Sequence, residues 1–450
     1  MSNKIKGLSV ATILLVVAAF GIYTIRQKTP NEEIKKLSKK QRIEEAIKDN
    51  FERTKDLELG YPPTERLAIA IEETREMQKE FALQKNDLAN ARFRERGPKN
   101  IGGRTRTILI DKNDPSGRTI FVGGVTGGLW KSDDISAAQP RWKKVNDYLE
   151  NLSVGALAQD ANDPQIMYMG TGEGYGDIAS GVGIFRSFDG GENWDLLPST
   201  TDGNFRYTRS LLVHPSGDVY VGTATGLYRS QNQGESWERL TVTGALPNFY
   251  DLLYIESNEY IYASATNSVH RSKTGDSRDW EDLSRTGTGF PKNLSRTELT
   301  VSPTVPEIMY IIGSIGGSAS DVFSTRNGGT SWLNMGKVAG SPDFTNGQAW
   351  YDLEIQVDPF NPQHIIAGGV PIFRSLNGGA SWNGFAFNMH VDHHITLFDP
   401  DRQGVIYFGN DGGIYRSTNG SAPQLQNRNL DYNVTQFYAG AIHPDAYSNY

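Results

Sequence analysis

The stretch Met389-His390-Val391-Asp392-His393-His394 concentrates side chains that could do chemistry. Three of the chain's seven histidines fall within these residues. Side-chain alternation along an extended strand predicts that His390, Asp392 and His394 project from one face. Such a trio could hold a divalent transition metal or act as acid–base machinery, because imidazole and carboxylate groups do both. The alternative is structural, with imidazoles that hydrogen-bond between neighbouring elements and fill a channel.

Carboxylates form a second set of candidates. Asp411 lies in Asn410-Asp411-Gly412-Gly413, Glu173 lies in the glycine-rich segment 172–177, and Asp352 follows Trp350 and Tyr351. Together with Asp392, they would offer the paired carboxyl groups that glycoside hydrolysis uses. Asp392, Asp411, Glu173 and Asp352 are therefore the candidate catalytic residues. An acidic rim without catalysis is the alternative.

Arginines form a third pattern. Arg106 and Arg209 occupy equivalent positions in two repeated segments, and Arg296 lies one residue away from that position in another. Planar guanidinium groups bind carboxylates through two parallel hydrogen bonds. Arg106, Arg209 and Arg296 are predicted to bind ligand, together with His390, His394 and Tyr351.

A repeated phrase indicates the elements that must position these residues. Six of the eight tryptophans close a Ser/Thr-x-Asp/Asn-x-Gly-x-x-Trp phrase or a degenerate copy of it. The clean copies span residues 187–194, 230–237, 325–332 and 375–382. We expect the Asp or Asn side chain to bond backbone amides in a tight turn, Gly to supply positive φ, and Trp to pack on the sheet.

Each copy sits in a unit of four short strands separated by turns. Four-stranded units of roughly 40 to 50 residues are typical of a β-propeller, whose blades stack around a central channel. The repeats predict an all-β, seven-bladed propeller over residues 97–434. The start of each innermost strand and the loop after each second strand should share one rim, the top face, and the candidates above cluster there.

The phrases resemble Asp-box (BNR) repeats, and the chain is similar to the Asp-box propellers of sialidases, xyloglucan hydrolases and sortilin. The resemblance runs from about Gly97 to the end of the chain. It implies the fold strongly and the function weakly, because the same turn occurs in enzymes and in binding proteins. The chain lacks the Phe/Tyr-Arg-Ile-Pro start and the Tyr–Glu nucleophile pair of sialidases. It has no cysteine, unlike the disulfide-bonded luminal region of sortilin.

Composition excludes several classes of function. The absence of cysteine excludes disulfides and thiolate metal sites. The net charge of −7 and the lack of a basic tract argue against nucleic acid as a partner. No phosphate-binding loop, dinucleotide fingerprint or nucleophile elbow is present.

The N-terminus is predicted to be a signal anchor over residues 1–30. An uncharged apolar run, Leu8–Ile25, is flanked by Lys4, Lys6, Arg26 and Lys28. Its 18 residues would reach about 27 Å as a helix, close to the hydrocarbon thickness of a bilayer. A cleaved signal peptide is the alternative. A propeller of secreted type favours an orientation with the bulk outside the cytoplasm, in the periplasm or at the cell surface.

The regions that flank the propeller have separate predictions. Residues 31–96 are rich in Lys, Glu and Arg, with apolar residues at helical spacing, which predicts a helical stalk or arm. A partner-binding coiled coil is the alternative. Residues 435–450 begin another repeat and stop within a second strand. Because an unpaired strand favours aggregation, either this strand closes the ring or the natural chain is longer, and we expect the first strand of a further blade in a longer chain that begins another propeller.

The sequence favours a membrane-anchored, extracytoplasmic propeller that binds a protein or carbohydrate ligand on its top face without turnover. The first alternative is a glycoside hydrolase or lyase that acts on polysaccharide through the rim carboxylates. The second is a scaffold subunit of an envelope assembly that docks through the helical arm. No cofactor is predicted firmly, although a divalent metal at His390, Asp392 and His394 is an open alternative.

Overall fold

The computed structural model describes residues 39–63, 66–83, 97–175, 179–385, 388–419 and 424–437. The chain divides into two units, Met1–Lys85 and Asn86–Tyr450. The described part of the first unit contains two helices, α1 (Lys39–Thr54) and α2 (Leu67–Leu83). That this unit forms a stalk or an arm stays a prediction. None of the described helices is both long enough and apolar enough to cross a bilayer, and the predicted span at 8–25 lies outside the described residues.

The second unit is a seven-bladed all-β propeller, as predicted, and each blade is an antiparallel sheet built from consecutive strands. The strands of blades 1 to 4 are β1 (Thr105–Ile110), β2 (Ile120–Gly124), β3 (Leu129–Ser132), β4 (Lys143–Lys144); β5 (Val154–Gln159), β6 (Met167–Thr171), β7 (Ile184–Ser187), β8 (Asp195–Leu196); β9 (Thr208–Val213), β10 (Val219–Thr223), β11 (Leu227–Ser230), β12 (Glu238–Arg239); β13 (Phe249–Ile255), β14 (Tyr260–Ala265), β15 (Ser268–Ser272), β16 (Glu281–Asp282). Those of blades 5 to 7 are β17 (Arg296–Val301), β18 (Met309–Ile315), β19 (Ser318–Ala319), β20 (Val322–Thr325), β21 (Leu333–Gly336); β22 (Glu354–Asp358), β23 (Asn361–Gly368), β24 (Ile372–Ser375), β25 (Asn383–Gly384); β26 (His393–Phe398), β27 (Ile406–Asn410), β28 (Gly413–Ser417), β29 (Leu425–Asn427). Short 3-10 helices occur at Pro198–Thr200, Gly203–Phe205 and Val338–Gly340.

The core lies between blades. The second strands are apolar runs such as Val219–Thr223, buried at every position, because each face of the strand meets a neighbouring blade. Seven apolar clusters fill the seven seams between adjacent blades. The blades approach so closely that a Cβ on Gly170 of β6 would lie 2.2 Å from the methyl carbon of Thr208 in the next blade. The glycine late in the second strand is therefore a packing requirement.

The repeated turn joins the third and fourth strands and has the predicted hydrogen bonds. In blade 2, Asp189 Oδ1 accepts from the backbone N–H of Glu192 and Asn193 at 3.1 and 2.8 Å. Ser187 Oγ donates to Asp189 and accepts from Gly191 N–H at 2.9 Å. Gly191 has a φ of +85°, which an L side chain rarely adopts. The turn is thus held by side-chain caps rather than by sheet pairing.

The ring closes by side-chain packing between blades 1 and 7. Each of these blades is already a complete four-stranded sheet. Tyr432, which follows β29, is wholly buried between Trp130 and Trp142, with ring centroids 5.7 and 5.1 Å away. Trp142 Nε1 donates to the carbonyl of Arg428 at 2.6 Å. The described part of 435–450, residues 435–437, contains no strand, and 438–450 lie outside the described residues, so the further blade stays a prediction.

Candidate functional site

The two faces of the propeller carry different loops, as predicted. Gly190, in a repeated turn, donates to the carbonyl of Gln165, in the loop between first and second strands. On the opposite side, Glu173 follows a second strand and bonds Arg106 at the start of an innermost strand. We call this second side the top face. The candidate residues named from the sequence lie on it, near the axis of the ring.

The axis at the top face is occupied by Tyr175, which extends from the loop after β6. Its ring lies under the guanidinium groups of three innermost strands, with Cζ-to-centroid distances of 4.1 Å for Arg296, 4.7 Å for Arg106 and 5.7 Å for Arg209. The ring of Tyr250 in blade 4 lies 6.2 Å away. The three predicted arginines therefore do converge, but on an aromatic ring of the chain itself. Attraction between cations and the ring face stabilises this arrangement.

Arg106 and Glu173 form a buried ion pair beside Tyr175. Arg106 Nη2 donates to Glu173 Oε1 at 3.2 Å, and the two side chains are 6% and 2% exposed. The guanidinium of Arg106 also stacks 4.6 Å from the ring centroid of Tyr351, so it is sandwiched between two tyrosines. Arg104 Nη1 donates to the Tyr351 hydroxyl at 3.0 Å. This pair links the mouths of blades 1, 2 and 6.

His394 lies between two carboxyl groups at the seam of blades 6 and 7. Its Nε2 lies 2.7 Å from Asp411 Oδ1, and its Nδ1 lies 3.3 Å from Asp352 Oδ1. Burial lowers the pKa of His394 well below its ordinary value, and the charges of Arg106 and Arg104 lower it further. Burial, with Asp392 nearby, raises the pKa of Asp352 to about 8. At neutral pH, a protonated Asp352 thus faces a neutral imidazole whose Nε2 is hydrogen-bonded to Asp411.

The predicted arrangement of His390, Asp392 and His394 on one strand face is wrong. The strand β26 begins only at His393, so strict alternation does not reach back to His390 and Asp392. Asp392 has a φ of +63°, which turns the backbone just before the strand. His390 is exposed, and its Nδ1 contacts the carbonyl of Val391 at 2.8 Å.

Metal binding by this trio receives no support from the geometry. Within the described ranges, no group of three or more His, Cys, Asp or Glu side chains is placed to hold a metal ion. The imidazole of His394 is instead engaged by carboxyl groups from two blades. This matches the structural alternative for the histidine, in which the ring bonds between neighbouring blades.

The candidate residues divide by burial. Glu173, Asp352, Tyr351, Arg106, Arg296 and His394 are buried, whereas Arg209, Asp392 and Asp411 are partly buried and His390 is exposed. Arg296 donates hydrogen bonds within the protein, to Glu298 Oε1 at 2.6 Å and to the carbonyls of Tyr351 and Leu353 at 2.9 and 2.7 Å. Arg296 therefore fixes the entry of blade 6 and has little left for a ligand.

Several residues of the axial region were not among the predicted site residues. Tyr175, Tyr250, Asp251, Glu298 and Glu354 all line a cavity along the axis. Burial raises the pKa of Glu354 to about 8. Their position in the repeat could have identified them from the sequence. Each lies in an innermost strand or in the loop after a second strand, as Arg106 and Glu173 do.

Comparisons with known proteins show the fold. No protein-family model matches the chain, and no curated protein matches it. A GH74 xyloglucanase from Xanthomonas campestris has a TM-score of 0.55 at 18% identity, over 72% of this chain and 53% of that one. A GH74 enzyme from Niastella koreensis has a TM-score of 0.54 at 19% identity, over 74% and 55%. The chain thus spans about half the length of these enzymes.

A third similar structure belongs to another class of protein. The extracellular domain of a putative hybrid two component system from B. thetaiotaomicron has a TM-score of 0.51 at 16% identity, over 70% of this chain and 38% of that one. At such identities the likeness extends to the propeller architecture alone. The function must therefore be argued from the residues of the site.

Proposed function

We propose that this chain is a non-enzymatic binding propeller whose top face takes a protein or glycan ligand. The observation that carries the proposal is that the chemistry-bearing residues at the top of the axis are buried and bonded to one another. Glu173 is paired with Arg106, and His394 is held between Asp352 and Asp411. Such a network fixes the surface above it and leaves few groups to react with a substrate.

Burial of the carboxyl groups argues against glycoside hydrolysis. Hydrolysis needs two carboxyl groups that flank a sugar bond, about 5 to 10 Å apart. Asp352 is 1% exposed and Glu173 is 3% exposed, so neither reaches a bond of a polymer lying on the surface. To act in hydrolysis, Glu173 would also have to break its ion pair with Arg106, which would leave a buried guanidinium without a counter-charge.

The accessible part of the top face suits recognition. Asp411 keeps 30% of its side chain exposed, and its backbone N–H donates to the carbonyl of Asp392 at 3.2 Å, which joins the two acidic residues. His390 is exposed beside them, and half-buried Trp350 packs 5.4 Å from Tyr351. A rigid surface of aromatic and acidic groups can bind a ligand with little loss of side-chain conformational entropy.

We propose that residues 8–25 anchor the chain in a membrane with the propeller outside the cytoplasm; the apolar run and its flanking charges support this. The hydrogen bonds of the repeated turn support its assignment to the Asp-box class. Protease added to intact cells should degrade the propeller but not a cytoplasmic marker. Protection equal to that of the marker would contradict the orientation.

A hydrolase is the second candidate, and one observation favours it. Asp352, whose pKa of about 8 keeps it protonated at neutral pH, and partly exposed Asp411 lie on opposite sides of His394, so a carboxylic acid and an accessible carboxyl group flank one imidazole. Release of reducing ends from xyloglucan or another polysaccharide, abolished in Asp411→Ala, would establish this function.

The binding proposal is tested with immobilised full-length chain on a glycan array and on a displayed peptide library. Wild type and the control Asp401→Ala, on the face opposite the top face, should bind the same ligands. The double variant Trp350→Ala, Asp411→Ala should bind them with an affinity lower by about tenfold or more. No product should accumulate. Equal retention by all variants would place recognition elsewhere on the chain, and cleavage of the ligand would replace this proposal with the hydrolase.

A further inference from the structure

A polar cavity of about 220 Å³ lies along the axis, with Tyr175 among its lining residues. Its walls come from the innermost strands, and its polar lining includes Arg209, Asp251, Glu298 and Gln356. Pockets for drug-sized ligands usually span about 300 to 1,000 Å³. This cavity therefore suits a smaller and more polar molecule.

Arg209 brings an uncompensated positive charge to the cavity. Its Nε donates to the carbonyl of Gly174 at 2.8 Å, and its Nη1 donates to Asn248 Oδ1 at 3.1 Å. Both acceptors are uncharged, and no carboxylate among the described residues forms an ion pair with Arg209. Its guanidinium also stacks 4.7 Å from the ring centroid of Tyr250. A partly buried guanidinium held in this way is suited to receive an anionic group.

Asp251 brings a carboxyl group from the neighbouring blade. Its Oδ2 accepts from the backbone N–H of Leu299 and from Ser264 Oγ, both at 2.8 Å. Among the described residues, no cationic group forms an ion pair with Asp251. The adjacent carboxylate of Glu298 accepts a hydrogen bond from Arg296 Nε at 2.6 Å and forms an ion pair with it. Arg296 and Glu298 thus compensate each other, whereas Arg209 has no carboxylate partner and Asp251 has no cationic partner among the described residues.

We propose that the axial cavity binds a small zwitterion of the α-amino acid class, with its carboxylate on Arg209 and its ammonium on Asp251. The volume admits a molecule of this size, and the two unpartnered groups lie on adjacent blades. A neutral sugar would leave the guanidinium of Arg209 without a counter-charge. A simple anion would leave Asp251 without a cationic partner, and a simple cation would leave Arg209 without an anionic one.

Binding of an ammonium group should release a proton from the site. Burial, with the neighbouring charge of Glu298, raises the pKa of Asp251 well above its ordinary value. An adjacent cation favours the ionised carboxylate, which lowers that pKa again. The apparent enthalpy of binding should therefore depend on the ionisation enthalpy of the buffer.

The proposal is tested by isothermal titration of the full chain with L-alanine, L-serine and L-glutamine, and with propionate, propylamine and glucose. At least one amino acid should bind, and propionate and propylamine should each bind about tenfold more weakly or worse. Arg209→Gln and Asp251→Asn should each weaken amino-acid binding by about tenfold or more. The controls Arg206→Gln and Asp401→Asn, both exposed, should bind as wild type does.

Three outcomes would overturn the proposal: no amino acid binds, either half-molecule binds as tightly as the whole, or glucose binds equally well. Each is measured on wild type, so the test holds even where a cavity variant fails to fold. The inference is independent of the top-face ligand. If Asp251→Asn loses amino-acid binding but still binds the glycan or peptide ligand of the top face, the cavity is a separate binding site.

Discussion

At the scale of single residues, groups with the chemistry of an active site are used here to hold blades together. His394, Asp352 and Asp411 connect blades 6 and 7, and Arg106 and Glu173 connect blades 1 and 2. The sequence indicated which residues break the repeat and that they meet at one mouth of the axis. Their burial could not be predicted, because it depends on Tyr175 and Tyr351, which enter from other blades.

Substitution of Asp352 tests the protonation of the seam. The pKa of Asp352 is raised to about 8 in the folded chain, whereas it is about 4 in an unfolded one. Between these values the folded state binds more protons, so this residue makes stability fall as the pH rises from 4 to 8. Asp352→Asn, which keeps the size of the side chain but cannot ionise, should show a shallower loss of unfolding free energy across this range.

The measurement is urea denaturation of both proteins at several pH values. Each unit of pKa difference corresponds to about 1.4 kcal/mol, so the curves should diverge by several kcal/mol in favour of Asp352→Asn at high pH. Asp401→Asn, on the opposite face, serves as the control and should follow wild type. Parallel curves for wild type and Asp352→Asn would contradict a protonated Asp352.

Tyr175 provides a second test at this scale. Its ring lies under three guanidinium groups, and no hydrogen bond of its hydroxyl is found among the described residues. Tyr175→Leu should lower the unfolding free energy by about 2 to 4 kcal/mol, because both ring packing and cation attraction are lost. Tyr175→Phe should change it by less than about 0.5 kcal/mol. Equal losses in the two variants, measured by denaturation, would show that the hydroxyl rather than the ring matters.

At the scale of elements, the turns were predictable and the strand ends were not. The Asp or Asn of the repeated phrase determines its turn through local hydrogen bonds, which involve residues only a few positions apart. The start of β26 depends instead on Asp392, which adopts positive φ while its N–H donates to the carbonyl of Val370 in blade 6. A local sequence pattern does not indicate a contact between blades. The predicted strand alternation was therefore extended wrongly to His390 and Asp392.

The repeated turn should contribute stability through its caps. Asn377 Oδ1 accepts from Ser375 Oγ and from Ser381 N–H, both at 2.9 Å. Asn377→Ala should lower the unfolding free energy by about 1 to 2 kcal/mol, because the Ser375 hydroxyl and the Ser381 N–H lose their acceptor. Exposed Asn383 in β25 is the matched control, and Asn383→Ala should cost less than about 0.5 kcal/mol. Similar midpoints for the two variants would refute a capping role.

At the scale of the whole molecule, the number of repeats indicated a seven-bladed ring. How the ring closes could not be predicted, because Tyr432 carries no repeat signature. Tyr432 fills the gap between Trp130 and Trp142, and its hydroxyl is hydrogen-bonded to Thr105 Oγ1 at 3.1 Å. Tyr432→Ala should lower the unfolding free energy by about 3 to 5 kcal/mol. Phe437→Ala, which truncates a side chain that is 71% exposed, should cost little. A mild effect of Tyr432→Ala in thermal denaturation would mean that closure rests on other contacts.

The proposed function depends on a ligand that binds on the top face. Hydrogen–deuterium exchange on the full chain, with and without a ligand identified from the array or the library, would locate the binding surface. We expect slower exchange in the segments around Gln348–Leu353, His390–His394 and Asn410–Gly413, with the repeated turns unchanged. Protection confined to the repeated turns on the opposite face would contradict it.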